Sequence, residues 1–329
     1  YLFIKFIMEY ENTKREDTTG NTKSHGCHIN EFVFDESFSP NSDFFNYVNN
    51  KWIKQNAIPD DYTRWGGFEI LHEGNTERLH KLITEYISSN DSFKNIVTLY
   101  NKGVDSEVLQ QEGITKTTKY INDIFTCRNN KELFTLLGNY SMKGINGFFD
   151  LDVYADAKDS NNNVIYVGQS TLGLPDRDYY FIESKQKERD QYKIFLNRIF
   201  QRFNIEDIDE VTNNIYELEH KIAESYQTRT ERRDPHLTYN ETTFKQLCHD
   251  YPNIDWCSFI KSTSLNEFTE WTNESDIKIV VDNPNFFKTL DEIFKEYKIT
   301  ELQWFLMSKT ITSIGSYDIN CDCTRSSTD

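Results

Sequence analysis

Apolar residues recur along this chain with a helical period over most of its length. Phe44, Tyr47, Val48 and Trp52 stand at i, i+3, i+4 and i+8. That spacing predicts a short amphipathic helix over 43–54, with Asp43 near its start, where the helix dipole favours a carboxylate. Leu79, Leu82, Ile83, Tyr86 and Ile87 share one stripe of a long helix that begins near Phe68 and ends at Ser89-Asn90. Further helices are predicted near 92–103, 106–126 and 130–142. Tyr192, Phe195, Leu196, Ile199, Phe200 and Phe203 mark another stripe, and Ile208, Val211, Ile215, Leu218 and Ile222 the next. Helices near 242–250, 285–297 and 299–315 complete the set. Strand signals are confined to Phe148–Tyr154 and Val164–Val167, which flank a polar loop over 156–163 and read as one small β-hairpin or ribbon near 148–167. The fold class is mainly α, with no internal repeat.

The termini behave differently. Glu9 to Glu31 is polar and poor in apolar residues, so 1–34 reads as a disordered tail, 35–316 as the folded domain and 317–329 as an unstructured tail. Hydrophobic residues make up only 37% of the 329, but aromatics at 15% supply large buried surfaces. A net charge of −17 argues against nucleic acid and against an anionic membrane surface. It also makes any cation in a cleft a candidate anchor for an anionic group. No run approaches the roughly 20 apolar residues that a membrane helix needs. The opening Tyr1–Met8 is broken by Lys5 and lacks a signal-peptide layout. Six scattered cysteines without a Cys-x-x-Cys pair suit a reducing compartment, and a cytoplasmic location is expected.

Candidate chemistry is sparse. Zinc hydrolysis on a helix calls for His-Glu-x-x-His. His72-Glu73 is the only His-Glu pair, but Thr76 stands where the second histidine belongs and His80 is two turns away. Glu217, His220 and Glu224 could share a helical face, which reads as a solvated polar surface. His25-Gly26-Cys27-His28 and Cys321-Asp322-Cys323 read as polar tails with incidental cysteines. There is no Gly-x-Ser-x-Gly elbow and no phosphate loop. Arg64 is more interesting, in a loop with Asp60 and Asp61 on one side and Glu69 on the other. Glu69 could hold one edge of the guanidinium fork while a ligand carboxylate takes the other.

Several segments in order resemble the N-terminal region of the neprilysin and endothelin-converting-enzyme peptidases. They are Asp43-Phe44-Phe45-x-Tyr47 through Trp52, Asn56-x-Ile58-Pro59 with Arg64-x-Gly66-x-Phe68, and Leu99-Tyr100. Gln169 follows, with Leu172-Gly173-Leu174-Pro175-x-Arg177-Asp178-Tyr179-Tyr180. Glu217-x-Glu219, Ile222-Ala223, Arg233-Asp234-Pro235, Tyr239-Asn240, Val280-Val281 and Leu302-Gln303 complete a match over about 35–316. The resemblance implies a helical lobe of a two-lobed enzyme enclosing a cavity in which a zinc site cleaves peptides. It implies that Arg64 receives the substrate's terminal carboxylate, with Phe68 close to that pocket and Glu69 in support. It gives Gly173, Pro175 and Arg177 a structural role in their turn. Half-disulfide cysteines of secreted relatives are replaced here by Asn41, Asn49 and Gly103.

The family's zinc helix, third ligand and substrate strand follow the region matched here. The chain as given is therefore expected to carry no catalytic residue and no metal ligand of its own, and to need a separate catalytic lobe as partner. Two readings lead, ahead of a third in which the chain is a helical scaffold with no peptide role. One is the N-terminal lobe of a zinc endopeptidase, forming cavity wall and carboxylate anchor for peptide substrates. The other is a stand-alone, catalytically inactive module that binds peptides or a partner chain. Either exposes apolar surface, and self-association is expected.

Overall fold

The computed structural model describes residues 34–318 apart from positions 60, 61, 63, 89, 106, 108–113 and 146. The expected tails, Asp60, Asp61 and the start of the 106–126 helix thus lie outside the described residues. The chain divides into two compact units, Tyr1–Glu77 and Arg78–Asp329.

In the first unit, α1 (Phe44–Gln55) is capped by Asp43, whose carboxylate accepts from Asn46 N at 3.0 Å. The buried Asp35 ties the preceding turn to this helix. It accepts from Ser37 Oγ at 2.6 Å and from Asn50 Nδ2 at 2.6 Å. These bonds to the charged form hold its pKa down at about 2. The next helix, α2 (Gly67–Lys81), starts at the glycine pair. Neither α1 nor α2 buries a residue among those described.

The second unit carries the core. A π-helical turn, Leu82–Tyr86, continues α2, and then come α3 (Lys94–Val104), α4 (Thr115–Thr126) and α5 (Asn130–Ser141). Strands β1 (Phe149–Asp156) and β2 (Asp159–Gln169) form the expected hairpin. The helices α6 (Asp178–Phe181), α7 (Gln186–Arg202), α8 (Ile208–Glu224) and α9 (Pro235–Thr238) follow. Then come β3 (Asn240–Thr243), α10 (Phe244–Asp250), α11 (Trp256–Lys261), β4 (Lys278–Val281), α12 (Pro284–Glu296) and α13 (Ile299–Asp318).

The hairpin is larger than the hydropathy pattern suggests. The polar loop expected over 156–163 shrinks to Ala157-Lys158, because Asp159–Asn163 belong to β2 and Ala155 pairs with Asn163. A register shift between Ala155 and Asp156 absorbs the extra residues. The hairpin is also part of a four-stranded sheet, in the order β1-β2-β4-β3, with β4 parallel to β2 and β3 antiparallel to β4. Buried aromatics, among them Phe134, Phe148, Phe149, Trp256, Phe286, Phe287 and Phe305, fill the space between sheet and helices. Buried Gln303 on α13 donates to Ile124 O at 2.9 Å and Cys127 O at 2.8 Å, fixing the end of α4 against the core.

Candidate functional site

Arg64 lies just before the turn that starts α2. Its Nε stands 2.7 Å from Glu69 Oε1 in an ion pair, and Glu69 lies in the first turn of α2, where a carboxylate is favoured. The Glu69 side chain is only 16% exposed, that of Arg64 85%. One edge of the guanidinium is thus held and the rest faces solvent. A planar fork held in this way keeps parallel N–H groups free for a carboxylate. Gly66 leaves room for the pair: a Cβ there would come within 3.3 Å of Glu69 Oε2. The loop is tied down further by Tyr62, which donates to Glu73 Oε2 at 2.6 Å and packs edge-on against Trp65. Phe68 is 86% exposed, its ring standing in solvent beside the pair in sequence.

The Gly-Leu-Pro turn is pinned from several sides in the second unit. Glu219 Oε1 accepts from Gly173 N at 2.7 Å and from Lys309 Nζ at 2.5 Å. Lys309 also donates to Thr171 O at 3.0 Å, and Leu174 N donates to the Tyr180 hydroxyl at 3.2 Å. Glu219 and Lys309 are almost fully enclosed, so each charge depends on the other and on backbone partners. Gly173 is required because a Cβ there would overlap the Tyr192 hydroxyl and crowd Glu219. Burial, reinforced by the Glu219 charge, pushes the Tyr180 and Tyr192 hydroxyls well above their usual pKa. Gln169, at the end of β2, accepts from Asn283 Nδ2 at 3.0 Å and Gln227 N at 3.2 Å, joining sheet, α12 and the segment after α8.

A cavity of about 420 Å³ opens beside this turn, lined by Asp150, Gln169, Thr171, Arg177, Arg229 and Arg232 among others. Arg229 pairs with Asp176, and Arg177 with Asp178 at 3.3 Å. Asp150 and Asp282 are each pushed up to about 6, chiefly by burial; the Arg232 charge opposes the shift in both.

The metal candidates do not assemble. The Tyr62 hydroxyl occupies Glu73, and His80 Nδ1 is 2.6 Å from the Tyr100 hydroxyl. The His220 ring packs on Phe181 at 4.7 Å, with Glu224 3.5 Å from its Nδ1, and Lys221 pairs with Glu296. Among the described residues, no group of three or more His, Cys, Asp or Glu side chains could hold a metal ion. The His25–His28 and Cys321–Cys323 tracts lie outside them.

Glu219 and Lys309 were legible as oddities, though not as partners. Glu219 falls on the apolar stripe of α8, four residues from Ile215 and three from Ile222. Lys309 stands four residues after Phe305 on the apolar face of α13. A charge on a buried face asks for a partner, but only the fold shows which.

A mainly helical unit with a small four-stranded sheet is the fold found in part of two-lobed zinc metallopeptidases. Residues 40–320 match peptidase family M13, and the chain belongs to that family, matching its N-terminal region. It is similar to neprilysin of Homo sapiens, 26% identical over 317 residues, covering 85% of this chain and 42% of that protein. It is 27% identical over 306 residues to endothelin-converting enzyme 1 of Rattus norvegicus, covering 86% of this chain and 38% of that one. In fold it resembles the inhibitor-bound zinc metalloprotease ZMP1 of Mycobacterium tuberculosis, with a TM-score of 0.81 at 23% identity over 91% of this chain and 45% of that one. PepO from Lactobacillus rhamnosis aligns with a TM-score of 0.67 at 13% identity, covering 84% of this chain and 44% of the other. The chain thus spans less than half the length of the relatives and structures that it matches.

Proposed function

We propose that this chain is the substrate-holding N-terminal lobe of a zinc endopeptidase acting on oligopeptides, forming part of the chamber wall. Arg64 takes the peptide's terminal carboxylate, Glu69 orients it, and Phe68 offers an apolar surface to the neighbouring side chain. One observation carries this reading: at the position where the family resemblance expects a carboxylate-binding arginine, a guanidinium is clamped on one edge and open on the rest. An arginine so clamped loses less side-chain freedom on binding.

The described residues do not fit a zinc ion, so no hydrolytic step is assigned to them. The role left to this lobe is to bind and orient the peptide. The relatives' greater length supplies the natural partner, a catalytic half. Support comes from α1, α2 and α3, which bury no described residue and leave Phe44, Phe45 and Leu99 more than half exposed. Surface of that kind marks an interaction site.

Zinc content and chelator-sensitive cleavage of a fluorogenic oligopeptide, measured on the purified 329-residue chain, test the division of labour. The expected result is substoichiometric zinc and no chelator-sensitive turnover. Turnover by the chain alone, abolished by a chelator, would overturn it.

A further inference from the structure

The cavity beside the Gly-Leu-Pro turn carries opposite charges that do not meet. Its volume of about 420 Å³ lies in the range of small-molecule sites. Of the three guanidiniums on its wall, Arg177 is paired with Asp178 at 3.3 Å and Arg229 with Asp176. Arg232 differs, making no ion pair among the described residues. Asp150, on β1 of the same wall, likewise has neither a hydrogen bond nor an ion pair among the described residues. Its neighbour Asp282 is engaged, accepting from the Gln169 backbone N–H at 3.2 and 3.3 Å. Gln227, whose Nε2 donates to Asp282 O at 3.4 Å, keeps an enclosed Oε1 that accepts no hydrogen bond. An enclosed acceptor of that kind calls for a donor. Arg232 is near enough for its charge to act on Asp150, yet the two make no ion pair. A simple anion in the cavity would face Asp150, and a simple cation would face Arg232. A ligand carrying both charges satisfies both ends.

We propose that this cavity is a binding site for a free α-amino acid, its carboxylate on Arg232 and its ammonium on Asp150. Gln227 Oε1 gives the ammonium a second acceptor. Leu172, Pro175 and Tyr226 supply apolar wall for the side chain. An oligopeptide does not fit this pattern, because its charged ends stand too far apart to meet both groups. The site lies in the second unit, whereas Arg64 belongs to the first, and the inference is independent of the peptidase reading.

The ammonium requires Asp150 in its ionised form. Burial pushes that carboxyl up to about 6. Asp152 on the same strand and Asp282 after β4 add to the shift, while Arg232 and Lys309 of α13 oppose it. A cation beside Asp150 pulls the pKa back down, so binding releases a proton wherever the carboxyl still holds one. Affinity should therefore fall about tenfold from about pH 7 to about pH 5, as Asp150 becomes protonated.

Calorimetric titration onto the full chain carrying Arg64→Ala tests the site, since that background removes the other arginine proposed to take a carboxylate. The probes are L-leucine, L-leucinamide and N-acetyl-L-leucine, the last two each lacking one charge. Leucine should bind saturably at one site per chain, and each blocked twin at least about tenfold more weakly. Adding Asp150→Asn should make leucine and N-acetyl-leucine bind alike. Adding Arg232→Gln should do the same for leucine and leucinamide. The three-probe comparison on a single chain stands even if either substitution disturbs folding. Absence of saturable leucine binding up to about 10 mM, or a blocked twin that binds as tightly as leucine, would refute the site. So would a preference for the zwitterion that survives both substitutions.

Discussion

Gly173 has no room for a side chain. Its backbone N–H feeds the buried Glu219, and the space where a Cβ would stand is taken by the Tyr192 hydroxyl. Gly173→Ala is expected to cost about 2–3 kcal/mol, as overpacking of a closed site does, read as a lowered denaturation midpoint. An unchanged midpoint would mean that the turn can move. Two carboxyls of the second unit make a different prediction. Asp150 and Asp282 titrate near 6 in the folded chain against an ordinary 3.8. The native state therefore holds protons that the unfolded chain has released. Their contribution is greatest below the unfolded pKa and is lost as pH rises through about 6. Asp35 and the Lys278-bound Asp156 have lowered pKa values and act in the opposite sense, losing their contribution only in stronger acid. The melting temperature should be higher near about pH 5 than above about pH 7. Asp150→Asn should flatten that slope by about 1–2 kcal/mol, after allowance for partial exposure.

At the scale of elements, the helices were largely legible and the sheet was not. Stripes such as Ile208, Val211, Ile215, Leu218 and Ile222 repeat often enough to define α8 within a turn. Lys278–Val281 is only four residues long, too short to show a period. Its identity as β4 comes from adding parallel to β2, a non-local fact. The polar run over 159–163 misled because hydropathy does not register strand pairing at an exposed end; Asp159, Ser160 and the asparagines extend β2 with their side chains in solvent. The Arg64–Glu69 pair was legible because both partners sit five residues apart around a helix start. Helix α1 also carries a prediction. Phe44 and Phe45 are each about two-thirds exposed, so the chain should self-associate at micromolar concentration. Phe44→Glu with Phe45→Lys should shift sedimentation toward monomer. A monodisperse wild-type monomer would contradict the reading of this face as an interface.

At the scale of the molecule, a chain of net charge −17 presents a clamped, solvent-facing arginine in a family whose relatives are peptidases. The central claim concerns Arg64, and one titration addresses it. A labelled oligopeptide with a free C-terminal carboxylate and its C-terminal amide twin are titrated onto the wild-type chain and onto Arg64→Ala. A charge-assisted bidentate contact is worth about 1.5–3 kcal/mol, so the wild type should favour the carboxylate by about tenfold or more, and the variant should bind both peptides alike. Equal affinity for the two peptides in the wild type, or a preference that survives loss of the guanidinium, would contradict the account.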